Sequence, residues 1–327
     1  MHHQTRRQLL INGLGAAAVL TTGGARAQNS YPAGPVRLVS PWAPGGSADI
    51  VTRAVGDRLG KLLGQPFLVD SRAGATGTIG FGHVARAPAD GYTLLLGTNS
   101  TYAIAPHLLK SIPYTMDEFT PIARVVNNAQ ILCIHPSIPA DDLEAFIAYV
   151  RAHPGEVKYG SGGIGGTSHM ASALLAMSAD LDMRHVPYRG SGLSQQALLG
   201  NEVQLVGLDI ASARALIEAG SIKGLAVTSL QRSAAMPNLP TVAELGYPNF
   251  DSATVFAMFG PAGLPAEIVS ALNTAINTML AQPETKEHFV SLGLDGTGGT
   301  PEELARGVVE ESKKWGELIA SAGIELK

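Results

Sequence analysis

Two stretches of this chain share one grammar: an apolar strand, a glycine-rich turn, then a helix. The first runs from Val36 to Ile50. Val36 to Ser40 reads as a buried strand, and Pro41 and Pro44 fix φ and remove donors, so the strand cannot continue. Gly45 and Gly46 allow a tight turn and a close approach by another group. A helix starts near Ser47, an N-cap residue type, with Asp49 in its first turn. Ile50, Val51, Ala54, Val55, Leu59 and Leu62 give that helix an apolar stripe. The second stretch repeats the pattern: Val157 to Gly160, then Ser161-Gly-Gly-Ile-Gly-Gly-Thr-Ser168, then a helix from His169 to Met177. A glycine turn feeding a helix start offers free N–H groups and the positive end of a macrodipole, which suits an anion. No Lys-Ser/Thr pair follows the glycines, so a nucleotide P-loop is not supported.

The segments between and around these stretches predict an α/β chain. Pro66 to Asp70 and Thr93 to Leu96 read as strands, separated by a glycine-rich turn from Arg72 to Gly80 and a helix through Ala87. Strand and helix alternating in this way imply right-handed crossovers and parallel pairing, with the loops at the carboxyl edge. Ala123 to Val126 and Gln130 to His135 look like extended strands leaving the first sheet. A second α/β series follows, with helices at 142–152, 194–199 and 213–219 and strands at 184–188, 203–208 and 224–228. Phe250 to Phe259 brings the chain back. Helices opened by Pro265, Pro283 and Pro301 then pack on the first sheet.

The first residues read as an export signal. Arg6 and Arg7 precede a short apolar core from Ile11 to Leu20, and Ala25-Arg-Ala27 is a cleavage pattern. The twin arginines fit either a twin-arginine or a general secretory signal. Cleavage after Ala27 leaves 300 residues, enough for two domains. It also leaves 20 basic against 27 acidic residues, with no basic block, which argues against nucleic acid as a partner. Cys133 is the only cysteine, so no intrachain disulfide forms; it is expected as a small apolar residue in a strand.

Catalytic signatures are missing. Ser161 and Ser191 lack the flanking glycines of a nucleophile elbow, and no zinc-type histidine pair occurs. No metal and no cofactor are expected. His169 favours a capping or core role near its helix start over a ligand contact. Asp49 reads as a helix-end carboxylate, and Asp209 divides evenly between that and a direct ligand role.

The whole mature chain resembles the Bug-type periplasmic substrate-binding proteins of tripartite tricarboxylate transporters. The resemblance is carried by Val39-Ser-Pro-Trp-Ala-Pro-Gly-Gly-Ser-Ala-Asp49, Asp70-Ser-Arg-Ala-Gly74, Asp90-Gly-Tyr-Thr-Leu94 and Gly97-Thr-Asn99. It continues through Gly165-Gly-Thr-Ser-His169, Val186-Pro-Tyr-Arg-Gly-Ser191, Leu225-Ala-Val-Thr-Ser229 and Phe259-Gly-Pro-Ala-Gly263. It implies a two-lobed α/β periplasmic binding protein of type II-like form, each lobe a mixed, mainly parallel sheet flanked by helices. Two hinge crossings divide it into a first lobe at 31–131 plus 253–327 and a second at 132–252.

The implied function is capture of a small organic carboxylate between the lobes for the membrane subunits of such a transporter, by a monomer in the periplasm. The expected ligand-binding residues are Trp42, Ala43, Gly45, Gly46, Ser47, Thr98, Asn99, Ser161, Gly165, Gly166, Thr167, Ser168, Asp209 and Val255. In the family, backbone N–H groups hold the ligand carboxylate, with ordered water helping from the first loop. Val255, Ile164 and Tyr102 depart from common family residues, which implies a pocket of altered shape. An exported hydrolase or isomerase using the same cleft, and a protein presenting ligand to a sensor kinase, stay open as alternatives.

Overall fold

The computed structural model describes residues 31–325. The export signal, its twin arginines and its cleavage point lie outside these residues. Strand β1 (Val36–Ser40) buries Val36, Leu38 and Val39, and helix α1 (Ser47–Leu63) turns Val51, Val55 and Leu59 inward. One expectation is corrected at the start of α1. The N-cap is Gly46, extended at φ −84°, ψ 173°, and no side chain caps the helix. Ser47 is already the first helical residue, so its hydroxyl is past the position from which it could cap.

The chain continues through β2 (Phe67–Ser71), α2 (Thr78–Ala85) and β3 (Thr93–Thr98). A wide helical turn at Ser100–Ile104 leads into α3 (Ala105–Leu108), and β4 (Phe119–Asn128) follows. Next come β5 (Gln130–Ile134), α4 (Leu143–Ala152), β6 (Lys158–Ser161), α5 (Thr167–Ala179) and β7 (Arg184–Pro187). Then follow α6 (Ser191–Leu199), β8 (Leu205–Asp209), α7 (Ile210–Glu218), β9 (Lys223–Val227) and β10 (Thr254–Pro261). The last elements are α8 (Ala266–Ala281), α9 (Pro283–Ser291), β11 (Asp295–Gly296) and α10 (Pro301–Ser321).

These strands form two mixed sheets, ordered β11-β4-β10-β3-β1-β2 and β7-β6-β8-β5-β9. The parallel pairs are β1 with β2 and β3, and β6 with β7 and β8; the remaining pairs are antiparallel. The loops after β1, β3, β6 and β8 therefore leave from carboxyl ends, where open α/β sheets take ligands. The chain passes from the first sheet to the second through one buried residue, Ala129, between β4 and β5. It returns beside that point: Thr228 N–H donates to the Gln130 carbonyl, and Ser252 N–H donates to the Thr228 carbonyl. Two crossings lying together make a hinge.

Each sheet is packed on both faces. On one face of the first, Phe256, Met258, Leu272 and Ile276 meet the stripe of α1. On the other, Phe81, Phe259 and Trp315 pack together, and Trp315 is 1% exposed. A side chain of that size contributes about 3 kcal/mol on full burial. Helix α10 starts with Pro301 behind a capping box made by Thr300 and Glu303, as proline at the first helical position favours. Cys133 is fully buried in β5, as expected, and burial pushes its thiol pKa well up. Tyr102 is 1% exposed, its ring edge-on to Phe259 at 5.5 Å. It belongs to the core, so its departure from family usage does not reshape the cleft surface.

Candidate ligand-binding site

The two glycine turns of the sequence each leave the carboxyl end of a strand, one in each sheet, and have nearly the same backbone. Gly45 lies at φ +88° and Gly165 at φ +76°, a region that L side chains rarely adopt. The following glycines, Gly46 and Gly166, are extended N-caps of α1 and α5, and neither helix has a side-chain cap. In both turns the first glycine donates its N–H four residues ahead. Gly45 N donates to Asp49 Oδ2 at 3.0 Å, and Gly165 N donates to His169 Nδ1 at 3.1 Å. This corrects a simple cradle in which every N–H from Gly45 to Ser47 and from Gly165 to Ser168 is open. Three of those donors are used inside the turns, since Gly166 N also donates to the Gly163 carbonyl at 3.3 Å. Among the described residues, the first-turn N–H groups of Ser47, Ala48, Thr167 and Ser168 have no protein acceptor.

The acceptors differ in kind. Asp49 is 5% exposed and also takes a bond from Arg53 Nε at 2.9 Å. The Arg53 bond first, then the Gly45 N–H, hold its carboxyl below the usual range. His169 is 3% exposed and stacks on His185 with centroids 3.8 Å apart, and the Tyr159 ring lies 4.9 Å from His185 and 6.1 Å from His169. Burial pushes His169 down to about 3, with His185 adding to it, and burial pushes His185 down to about 4. Both rings are neutral at pH 7. The bond from Gly165 places the His169 proton on Nε2.

Ser161 resembles a nucleophile with a base, since its Oγ is 2.7 Å from His185 Nε2. The geometry does not support that chemistry. Ser161 is fully buried, and its hydroxyl is tied to Gly163 by both N–H and carbonyl. Among the described residues no carboxylate orients His185. The hydroxyl of Ser168 is also used internally, accepting from Gly162 N at 3.1 Å.

The first lobe contributes three buried polar atoms with no partner: Ser40 Oγ at the end of β1, Trp42 Nε1 just beyond it, and Thr98 Oγ1 at the end of neighbouring β3. Such atoms cost about 1–3 kcal/mol each unless water or a ligand meets them. Ala43, Gly45, Gly46 and Ser47 form the exposed rim of this wall. Asn99 is adjacent, but its side chain is spent on the returning crossing. Its Nδ2 donates to the Ala253 carbonyl at 2.8 Å, and its Oδ1 accepts from Val255 N at 3.2 Å. Val255 is accordingly 4% exposed.

Asp209 ends β8, and its Oδ1 lies 3.4 Å from Gln130 Nε2. Burial raises its pKa, while the Gln130 and Asn128 amides counter the rise. Gln130 also reaches Thr167 Oγ1 at 3.4 Å, so the first residue after the crossing touches both the second turn and Asp209. Sequence reasoning missed Gln130. A polar residue opening the apolar run Ile131 to Ile134 is the signal that could have found it. It also missed Leu108, whose side chain fills the space where a Cβ on Gly165 would sit, and so brings the lobes into contact. Arg189 is exposed, and no lysine or arginine belongs to either turn.

Two mixed sheets flanked by helices and joined by two neighbouring crossings, each carrying a glycine-capped helix start, have the form of a solute-binding protein. The family model for the tripartite tricarboxylate transporter family receptor matches residues 51–324, and the chain belongs to that family of solute-binding receptors. Protein BugT of Bordetella pertussis is 35% identical over 304 residues, covering 91% of this chain and 92% of BugT. A Rhodopseudomonas palustris protein solved with adipate superposes with a TM-score of 0.78 at 32% identity, over 90% of this chain and 99% of its own. MatC from the same organism, with bound malate, gives 0.72 at 31% identity, over 88% and 100%.

Proposed function

We propose that this receptor captures a small organic carboxylate between its lobes and delivers it to the membrane subunits of a tripartite tricarboxylate transporter. The observation that carries the reading is the pair of helix starts without side-chain caps, one in each lobe. Their first-turn N–H groups are open, while Ser40, Trp42 and Thr98 leave buried polar atoms unpaired beside them. Four hydrogen bonds to a carboxylate, at about 1.5–3 kcal/mol each, total about 6–12 kcal/mol before ordering costs, against about 8 kcal/mol for micromolar affinity. The relatives solved with adipate and malate support the same ligand class.

In this reading Trp42, Ala43, Gly46, Ser47, Thr98, Ser161, Gly166, Thr167, Ser168 and Asp209 line or shape the site. Gly45, Gly165, Asn99 and Val255 hold its frame. In this reading the lobes divide at 31–131 plus 253–327 and 132–252, the first boundary falling inside β5, two residues past Ala129 where the chain changes sheet. The protein acts as a monomer in the periplasm after cleavage near Ala27. Native mass spectrometry of protein purified from its host tests the reading, with a co-purifying small acid expected. Calorimetry against a panel including adipate and malate follows. Absence of binding across dicarboxylates and monocarboxylates, or turnover of any of them, would reject it.

A further inference from the structure

The Asn99 side chain holds the returning crossing, and a buried carboxylate stands behind it. Glu311 of α10 is 7% exposed. Arg124 Nη2 lies 3.5 Å from its Oε1, and the Asn99 amide hydrogen-bonds the carboxylate. Burial raises the Glu311 pKa; the Lys314 and Arg124 charges and the Asn99 amide counter the rise, and Asp251 adds to it. Tyr102 faces the carboxylate as well, its own pKa raised by burial first and then by the Glu311 charge. Gly307, one turn earlier on α10, makes room for the guanidinium, since a Cβ there would lie 2.6 Å from Arg124 Nη2. Neutralising Arg124 does not by itself call for a buried acid, because that side chain is 32% exposed and water screens it.

A carboxylate accepts hydrogen bonds and donates none, so Glu311 favours the Asn99 nitrogen on its side. In that orientation Asn99 Nδ2 donates to the Ala253 carbonyl at 2.8 Å and Oδ1 accepts from Val255 N at 3.2 Å. A flipped amide would lose both bonds and turn its oxygen on Glu311. One turn along α10, Lys314 Nζ donates to the Asp251 carbonyl at 2.9 Å. Helix α10 therefore reaches the crossing directly at Asp251, and through Asn99 at Ala253 and Val255. Between these ties, Ser252 N–H is bound to the Thr228 carbonyl of the second lobe at 2.7 Å.

We infer that Glu311 is a positioning residue for ligand binding: through Asn99 it anchors the returning crossing to the first lobe and keeps Val255 and neighbouring Thr98 in place at the cleft. The role in binding rests on the cleft being the ligand site; the anchoring of the crossing does not.

Glu311→Gln keeps the size of the side chain, removes its charge and lets it donate as well as accept. In hydrogen exchange on the intact, ligand-free protein, protection of the Val255 amide should fall about tenfold. The Val227 amide, bonded to the Pro240 carbonyl in the second lobe, should keep its protection. Asn99→Ala should also expose Val255, and adding Glu311→Gln to it should change little, because the two act in series. In the wild-type protein, NMR should show an Asn99 side-chain amide proton shifting as the Glu311 carboxyl titrates, which requires no variant to fold. Malate and adipate, titrated by calorimetry, should bind Glu311→Gln at least about threefold more weakly than wild type. If neither binds wild type, the ligand reading fails, and exchange at Val255 still decides the anchoring role. Unchanged Val255 protection, an equal fall at Val227, or an Asn99 amide insensitive to Glu311 overturns the inference.

Discussion

The turn at Gly45 and the turn at Gly165 solve one geometric problem with opposite electrostatics. Each bends at a left-handed glycine, caps its helix with a second glycine, and ties the first N–H to a side chain one helical turn ahead. At the first turn the tie is a carboxylate, itself 5% exposed, whose charge is met by Arg53; at the second it is a neutral imidazole within a stack. A buried charge needs a partner of opposite sign, which the first turn has and the second lacks. The pair shows that the local backbone determines the motif, and its surroundings determine which residue completes it.

The largest expected contrast is in the glycines. Gly45→Ala has open space for its Cβ and should cost about 1–2 kcal/mol for the left-handed backbone alone. Gly165→Ala meets Leu108 of the other lobe in addition, so denaturant unfolding should show about 2–4 kcal/mol. Cleft ligands should also bind it more weakly, because the lobes are propped apart. Equal losses at the two positions would break the comparison.

Next come the acceptors. His169→Ala leaves a buried N–H unpaired and removes a stacked ring, which should cost about 2–3 kcal/mol. Asp49→Ala leaves an N–H that water can reach, which should cost about 1 kcal/mol. Acid should separate them too. His169 falls from 6.5 to about 3 on folding, so its contribution is complete above pH 6.5 and drains away as pH drops toward 3. Asp49 lies below 3.8 in the folded protein, so its contribution persists above 3.8 and is lost only as pH falls through its lower folded value. Between pH 6.5 and 4, the protection factor, which corrects for the slower intrinsic exchange in acid, should therefore fall at the Gly165 amide while that of the Gly45 amide holds.

The smallest contrast is between hydroxyls. Ser168→Ala leaves the Gly162 N–H without its acceptor and should cost about 1 kcal/mol. Ser47 makes no side-chain bond among the described residues, so Ser47→Ala should change stability by less than about 0.5 kcal/mol. A larger loss for Ser47→Ala would mean that its hydroxyl does structural work in solution.

What could be read in advance follows from range along the chain. The bounds of β1 and the start of α1 were legible because Pro41, Pro44, Gly45 and Gly46 act on their own backbone. The internal ties were visible too, in Gly-Gly-Ser-Ala-Asp49 and Gly-Gly-Thr-Ser-His169, though the sequence reading assigned those N–H groups to a ligand. The stack of Tyr159, His169 and His185 was not legible, since it needs β6 and β7 side by side with α5 across them. Nor was the role of Gln130, which depends on where the crossing delivers the strand. Ser47 misled because its residue type suits a cap while Gly46 holds the extended conformation that a cap needs.

The fully buried Cys133 bears on how long such a receptor lasts. Its thiol sits in β5, four residues past the crossing at Ala129, and is fully buried while the sheet is intact. Opening and closing of the lobes does not uncover it. Thiol-disulfide exchange, which is abundant outside the cytoplasm, therefore meets this sulfur only when the second lobe comes apart. The rate at which Ellman's reagent labels the native protein is then a clock for unfolding, and it should run far slower than the hinge.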